Sequence, residues 1–272
     1  MMARRLMARH SALSLLMMLW SAGALVPWAI AADPAPSNAA VTYRIVGEYR
    51  NETIDERAPR GSERFELLGH PDGSRTVSIS TDLAARGAIF MVVLRVAADF
   101  RPLEAFANYW NGGALKGSGH FVIDGSSLYA RSTGPAGVNE RTTVVPARFS
   151  IGSHPVSADG WHTANHDKAG ESKQRAQLYS IEAGSDPTKP VLGTLVPLEV
   201  EYVGEEIVEV PAGRFATQRY RLAGMNDLWV TGEDRIVVKS EIPARKLRYV
   251  LTSLRADPKM RSDLERQATA PK

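Results

Sequence analysis

Cysteine is absent from this 272-residue chain, which excludes disulfides and thiolate metal sites and leaves stability to the packed core. The short motifs that announce common chemistries are missing too. The sequence holds no Gly-x-Ser-x-Gly elbow for an activated serine, no His-Glu-x-x-His pair, and no glycine-rich loop ending in Lys-Ser or Lys-Thr. No solenoid or propeller repeat recurs. The paired carboxylates Glu205-Glu206 and Glu233-Asp234 fall at expected turns, where solvent exposure is the ordinary state, so they are assigned no acid and base role.

Charge of one sign is also lacking once the N-terminus is set aside. Lys plus Arg number 33 against 30 for Asp plus Glu, and Arg4, Arg5 and Arg9 lie in a leading stretch without acids. The remainder is balanced, with both signs interspersed and no interleaving of basic and aromatic residues. Such a surface has no long-range field to gather nucleic acid, and no nucleic-acid partner is expected.

That leading stretch has the three parts of a secretory signal peptide. Arg4, Arg5 and Arg9 form a basic end, residues 13–20 an uncharged run, and Ala29-Ile30-Ala31 a small-x-small cleavage site. The expected organisation is a signal peptide over 1–31, a flexible lead over 32–40 with two prolines, a single β-rich domain over 41–256, and a polar tail over 257–272. Export to the periplasm follows. The strands are too uneven in length, and the aromatic girdles too poor, for insertion of the cleaved chain into a membrane.

What the sequence does have is period-two alternation, the mark of strands with one buried face. It runs through residues 41–50, 64–68 and 75–81, the last two joined by the His70-Pro71-Asp72-Gly73 turn. The most apolar segment, 88–96, reads as a central strand buried on both faces. Residues 103–110 read as a short extended segment or a helical turn. Further strands are expected over 119–123, 127–131 and 141–145, with Asp124-Gly125 as a hairpin signal and Gly117-Ser118-Gly119-His120 as a turn entering the first of them. Residues 176–181 resume extended structure. A regular meander then covers 198–203, 205–210, 215–222, 227–230, 235–242 and 247–254, with connections short enough to demand antiparallel neighbours. The fold class is all-β: an antiparallel meander forming a curled sheet, half-barrel or barrel.

Residues 146–173 break this pattern with glycines, two prolines and three of the six histidines. They read as a long irregular excursion at the surface or across the mouth of the fold, where sites are commonly built. His154, His162, His166 and Asp167 could supply imidazole nitrogens and a carboxylate to a divalent metal. The alternative is a set of polar loop histidines bonded to backbone or water. No other cofactor is expected.

The residues Val203-Gly204, Val208, Val210-Pro211-Ala212-Gly213, Phe215 and Arg219-Tyr220, followed by Leu228-Trp229-Val230 and Val237-Val238-Lys239, resemble the DUF3108 family of uncharacterised exported bacterial proteins. The resemblance covers residues 191–254. It implies an envelope protein of mostly antiparallel β architecture, related to curved-sheet lipoprotein carriers, and it brings no catalytic residues.

Together these readings give a periplasmic binding or carrier protein whose barrel or half-barrel encloses or lines an apolar cavity for a hydrophobic or amphiphilic ligand, with a role in envelope maintenance. Trp229, Phe215, Trp161 and Tyr220 are the candidate ligand contacts, with core packing as the alternative for Trp229. Two other functions are kept open. One is a periplasmic hydrolase at the histidine-rich loop; the other is a structural partner of an outer-membrane protein assembly.

Overall fold

Alternate side chains turn inward along one strand after another, and this alternation accounts for the sheet. The computed structural model describes residues 41–257; the expected signal peptide, lead and nearly all of the polar tail lie outside the described residues. In chain order the first eight strands are β1 (Tyr43–Thr53), β2 (Pro59–Gly69), β3 (Arg75–Leu83), β4 (Ala88–Val96), β5 (Pro102–Asn111), β6 (Ala114–Asp124), β7 (Ser127–Thr133) and β8 (Asn139–Val144). After them come β9 (Phe149–Gly152), the short helix α1 (Val156–Asp159), β10 (Lys173–Ile181), β11 (Gly193–Val210), β12 (Gly213–Leu222), β13 (Asn226–Thr231), β14 (Ile236–Ile242) and β15 (Leu247–Ala256).

All fifteen belong to one sheet, ordered from β8 through β7 and onward to β1, then β15 and down to β9. Two meanders therefore meet where the first strand pairs with the last, Tyr49 opposite Leu251 and Asn51 opposite Tyr249. Every neighbouring pair is antiparallel except β9 and β10, where Phe149 lies beside Gln177 in parallel. The twenty residues between those two strands supply the long crossover that parallel pairing requires.

The sheet does not close, because the consecutive strands β8 and β9 occupy opposite edges. It is nevertheless curled until its two halves touch. The Val191 amide donates to Ser132 Oγ at 2.9 Å, Arg141 Nη1 donates to Gly193 O at 3.1 Å, and the Tyr109 hydroxyl donates to Ser153 O at 2.8 Å. The ring of Phe121 on β6 meets that of Tyr179 on β10 edge-on at 5.9 Å. The expected all-β, curled antiparallel architecture is what forms.

Several local expectations are corrected. Residues 103–110 are strand, with no helical turn. Residues 198–203 and 205–210 belong to the single strand β11, with a bulge at Gly204. Gly204 takes φ +148 with open space where a Cβ would stand, so the chain shifts register there and does not reverse. The Gly117 to His120 segment lies inside β6 and is no turn. Gly119 is required there for space: an added Cβ would stand 2.7 Å from the Phe121 ring and 2.8 Å from Val191 O. Asp234, expected to be exposed at its turn, is buried, because Arg75 and Tyr43 turn inward to meet it.

The largest difference concerns 146–173. The segment holds β9, α1 and a 3-10 stretch over Gly160–Asn165, and residues 155–163 are buried without exception. It is packed against strands from both halves of the sheet. Val156, Ala158 and Trp161 join the same apolar cluster as Phe65 of β2, Phe121 of β6 and Val237 of β14. This apolar content, Val156, Ala158 and Trp161 among polar neighbours, drives the segment inward although it has no regular period.

Candidate functional site

Glu63 organises the buried segment. It shares the inward side of β2 with Phe65 and Leu67 and is completely buried. Its Oε2 accepts from the Thr81 hydroxyl at 2.8 Å and the Val156 amide at 3.1 Å. Its Oε1 accepts from the Ser157 amide at 2.8 Å and the Ser157 hydroxyl at 2.7 Å. Pro155, which precedes α1, offers no side-chain cap, so a carboxylate from a distant strand satisfies the two leading amides. Burial pushes Glu63 up to about 7, and the donors from Ser157, Thr81 and Val156 hold it from rising further. The Tyr49 phenol, fully buried beside it, is pushed well above its ordinary value by burial and by the charges of Glu63 and Asp159.

A second polar chain continues from the other end of α1. Asn226 Nδ2 donates to Asp159 Oδ2 at 2.8 Å and to Ser240 Oγ at 3.1 Å. Trp161 Nε1 donates to Asp234 O at 3.1 Å, and Arg235 Nη1 donates to Thr163 Oγ1 at 2.9 Å. Asp234 in turn takes Arg75 Nε at 2.6 Å and the Tyr43 hydroxyl at 2.5 Å. Both halves of the sheet thus hold the segment through paired polar groups, as a low-dielectric interior requires.

The four proposed metal ligands are not brought together. His154 is exposed, with Nε2 donating to Ile181 O at 2.7 Å and its ring against Tyr109 and Phe90. His162 is buried within the inner segment. Its Nε2 lies 3.5 Å from Asp159 Oδ1, and neither ring nitrogen has a hydrogen-bond partner. His166 Nε2 donates to Ser172 O at 2.9 Å, and its ring packs edge-on to Tyr220 at 5.9 Å. Asp167 is exposed and caps its own turn through the Ala169 amide at 3.0 Å. Among the described residues no group of three or more His, Asp or Glu gathers as a cation site.

The four proposed ligand contacts are core residues in this structure. Trp161 and Trp229 are buried, as are Phe215 and Tyr220. Trp229 is held on all sides: Nε1 donates to Glu206 Oε2 at 2.7 Å, Lys239 Nζ stands 3.6 Å from the ring centre, and Arg219 Cζ stands 4.7 Å from it. Tyr49, Tyr109, Tyr179, Tyr220, Phe121 and Phe149 retain no more than 1% of their surface. A side chain facing a water-sized hollow would keep more, so no such hollow touches these rings.

Accessible features lie at the rim and on the outer face. Where the β4–β5 turn meets the β6–β7 turn, Arg101 Nη2 donates to Gly125 O and its guanidinium sits 5.6 Å from the Phe149 ring. A cleft of about 330 Å³ opens beside it, bordered by Asp99, Arg101, Arg148, Asn165, His166 and Asp167. The outer face of the neighbouring strands carries exposed apolar residues among charged ones such as Glu104, His120 and Arg131. Val93 pairs with Phe106, and Val122 with Tyr129, with Met91 one step along β4. All five are exposed, Phe106 at 43% and Tyr129 at 49%. Arg101 and Arg148 were not singled out from the sequence, and β4, expected to be buried on both faces, is buried on one only, with Met91 and Val93 exposed on the other. The outward parity of Met91, Val93 and Phe106 was the available signal.

No family model matches the sequence, and no curated protein matches it. Among solved structures, the chain is similar to a β-barrel-like protein of the domain of unknown function DUF1849 from Brucella abortus. That likeness has a TM-score of 0.48 and 12% identity, and covers 79% of this chain and 98% of that one. It is also similar to a DUF1089 family protein from Pseudomonas aeruginosa, with a TM-score of 0.40 and 10% identity over 66% of this chain and 89% of that one. These likenesses say nothing about the DUF3108 resemblance. Among the described residues no helix is long and apolar enough to cross a membrane.

Proposed function

We propose that this protein is an exported, periplasmic binding or carrier protein for a hydrophobic or amphiphilic molecule, acting in upkeep of the envelope. The observation that carries this reading is the set of apolar residues Met91, Val93, Phe106, Val122 and Tyr129, exposed on the outer face while Val92, Leu94, Ala105, Ala107, Phe121 and Leu128 on the other face of the same strands are buried. Exposed apolar side chains spread over four adjoining strands suit a contact surface, here with the His120–Glu104 pair set between Phe106 and Val122. The aromatic filling of the interior supports placing the ligand on this face and at the rim. Val122 lies three residues before the Gly125 carbonyl that accepts from Arg101, a residue that borders the polar cleft. An apolar tail along the row with a polar head at the rim is the arrangement that suits an amphiphile.

The experiment is extraction of protein purified from its native host, followed by mass spectrometry. Retained amphiphile in stoichiometric amount supports the reading. Protein that carries none, and that binds no member of a panel of fatty acids, lysophospholipids and monoacylglycerols, contradicts it.

A protein partner in an envelope assembly is the second reading, favoured by one observation. Among the described residues β8 has a neighbour on one side only, and Val144 at its end is exposed, so that edge offers main-chain donors and acceptors to an added strand. Cross-linking in cells that traps one envelope protein through β8 residues tests it.

A further inference from the structure

The rim cleft has a charge arrangement that the apolar row does not explain. Arg101 and Arg148 both border it, and among the described residues neither guanidinium makes an ion pair with a carboxylate. Arg101 is held in place by the Gly125 carbonyl and by the Phe149 ring, which engage one N–H and one face. Among the described residues its remaining donors have no partner, and a fixed guanidinium fork with such donors suits a phosphate or carboxylate. Arg148 is exposed and brings a second positive charge to the same cleft.

Two carboxylates border the cleft as well. Asp99 Oδ1 accepts the Arg101 amide at 3.0 Å, and Asp167 Oδ1 accepts the Ala169 amide at 3.0 Å. Each is fixed by its own turn, and both border the cleft. A simple anion would be attracted by the two guanidiniums and repelled by the two carboxylates. A head group with one anionic and one cationic end meets both pairs with opposite charge. Asn165 adds an amide whose Nδ2 is committed to Ser150 Oγ at 3.2 Å, which leaves its oxygen for a donor on the ligand. At about 330 Å³ the cleft has room for a small polar head and too little for an alkyl chain as well.

We infer that this cleft binds a zwitterionic head group, an anionic phosphate toward Arg101 and Arg148 with an ammonium toward Asp99 and Asp167. The inference rests on the amphiphile-binding reading and specifies its head group. The phosphate and ammonium could come from a membrane-derived lipid or from a free phosphorylated amine, and the two sources are separable by experiment.

The test is calorimetric titration of the full mature chain with three probes: lysophosphatidylethanolamine, monoacylglycerol of the same chain length, and free phosphoethanolamine. Wild-type protein is expected to bind the lysophospholipid more tightly than the monoacylglycerol. Arg148→Met and Arg101→Met should each weaken the lysophospholipid by about tenfold, the size of a lost charge-assisted hydrogen bond, and leave the monoacylglycerol unchanged. Arg148 is exposed, so its variant should unfold at the wild-type temperature. Binding of free phosphoethanolamine, lost in the same variants, supports the cleft with a soluble source. Equal affinity for both amphiphiles, unaffected by either variant, overturns the head-group inference and leaves amphiphile binding standing. Failure of all three probes overturns both.

Discussion

Glu63 on β2 and Ser157 on α1 are 94 positions apart and share two hydrogen bonds, the amide and the hydroxyl of Ser157 both donating to Oε1. With Thr81 and Val156 on Oε2, this carboxylate fixes the inner segment to the first half of the sheet. Glu63→Ala would leave two amides and two hydroxyls buried without an acceptor. A loss of about 3–5 kcal/mol is expected, measured by urea unfolding. Glu63→Gln keeps a side-chain oxygen as acceptor and should lose less.

Stability should also depend on pH through the same group. Because burial raises Glu63 from 4.5 to about 7 in the folded protein, the folded state favours the protonated form. Its contribution is full below pH 4.5 and is lost as pH rises through 7, by about 3 kcal/mol in all. Unfolding free energies measured between pH 4 and 8 should fall across that window in the wild type, against a flatter profile in Glu63→Gln. Parallel profiles would assign the dependence to other groups.

Why the sheet was legible in the sequence and its interior was not can be seen at Glu63 itself. Alternation of Phe65 and Leu67 marks β2, but the expected strand began at Arg64, one residue short of the acid that shares their inward side. Arg75 is a similar case: it opens the expected strand 75–81, inward with Val77 and Ile79, and its partner Asp234 is 159 residues away. Local period reveals which way a side chain turns. It does not reveal which distant group will meet it. The inner segment was misplaced for a related reason, since its burial depends on Glu63, Asn226 and Arg235, none of them nearby in sequence. Trp161, Phe215, Tyr220 and Trp229 were recognised as large apolar anchors, yet the sequence could not say whether they line a hollow or fill it.

The joint between the two meanders rests on Glu52 of β1 and Arg248 of β15. Glu52 is fully buried; Arg248 Nε donates to its Oε1 at 2.7 Å and Arg50 Nε to its Oε2 at 2.6 Å. Burial alone would raise Glu52, but the Arg248 and Arg50 guanidiniums together hold it below the usual carboxylate range. Arg248→Met removes one partner and leaves a buried charge under-compensated, for an expected loss of about 3–5 kcal/mol. Hydrogen exchange should localise the added opening to β1 and β15.

Trp229 offers a test of whether its ring contacts ligand or core. Trp229→Phe keeps an aromatic ring between Lys239 and Arg219 but removes the hydrogen bond to Glu206. An expected cost of about 1–2 kcal/mol in urea unfolding should come with unchanged affinity for amphiphiles. A clear loss of affinity at unchanged stability would return Trp229 to the ligand site.

The central claim is that the exposed row on β4 to β7 takes the apolar part of a ligand. The direct measurement is titration of a fluorescent fatty acid against the wild type and against Phe106→Ser, Val122→Ser and Tyr129→Ser. Each exposed substitution should leave the unfolding midpoint within about 0.5 kcal/mol of wild type. Each should weaken binding by about tenfold, as expected for loss of roughly 50 Å² or more of apolar contact at 25 cal/mol per Å². Saturable binding by the wild type that is lost stepwise along the row is the predicted result, and affinity identical in all four proteins would contradict it.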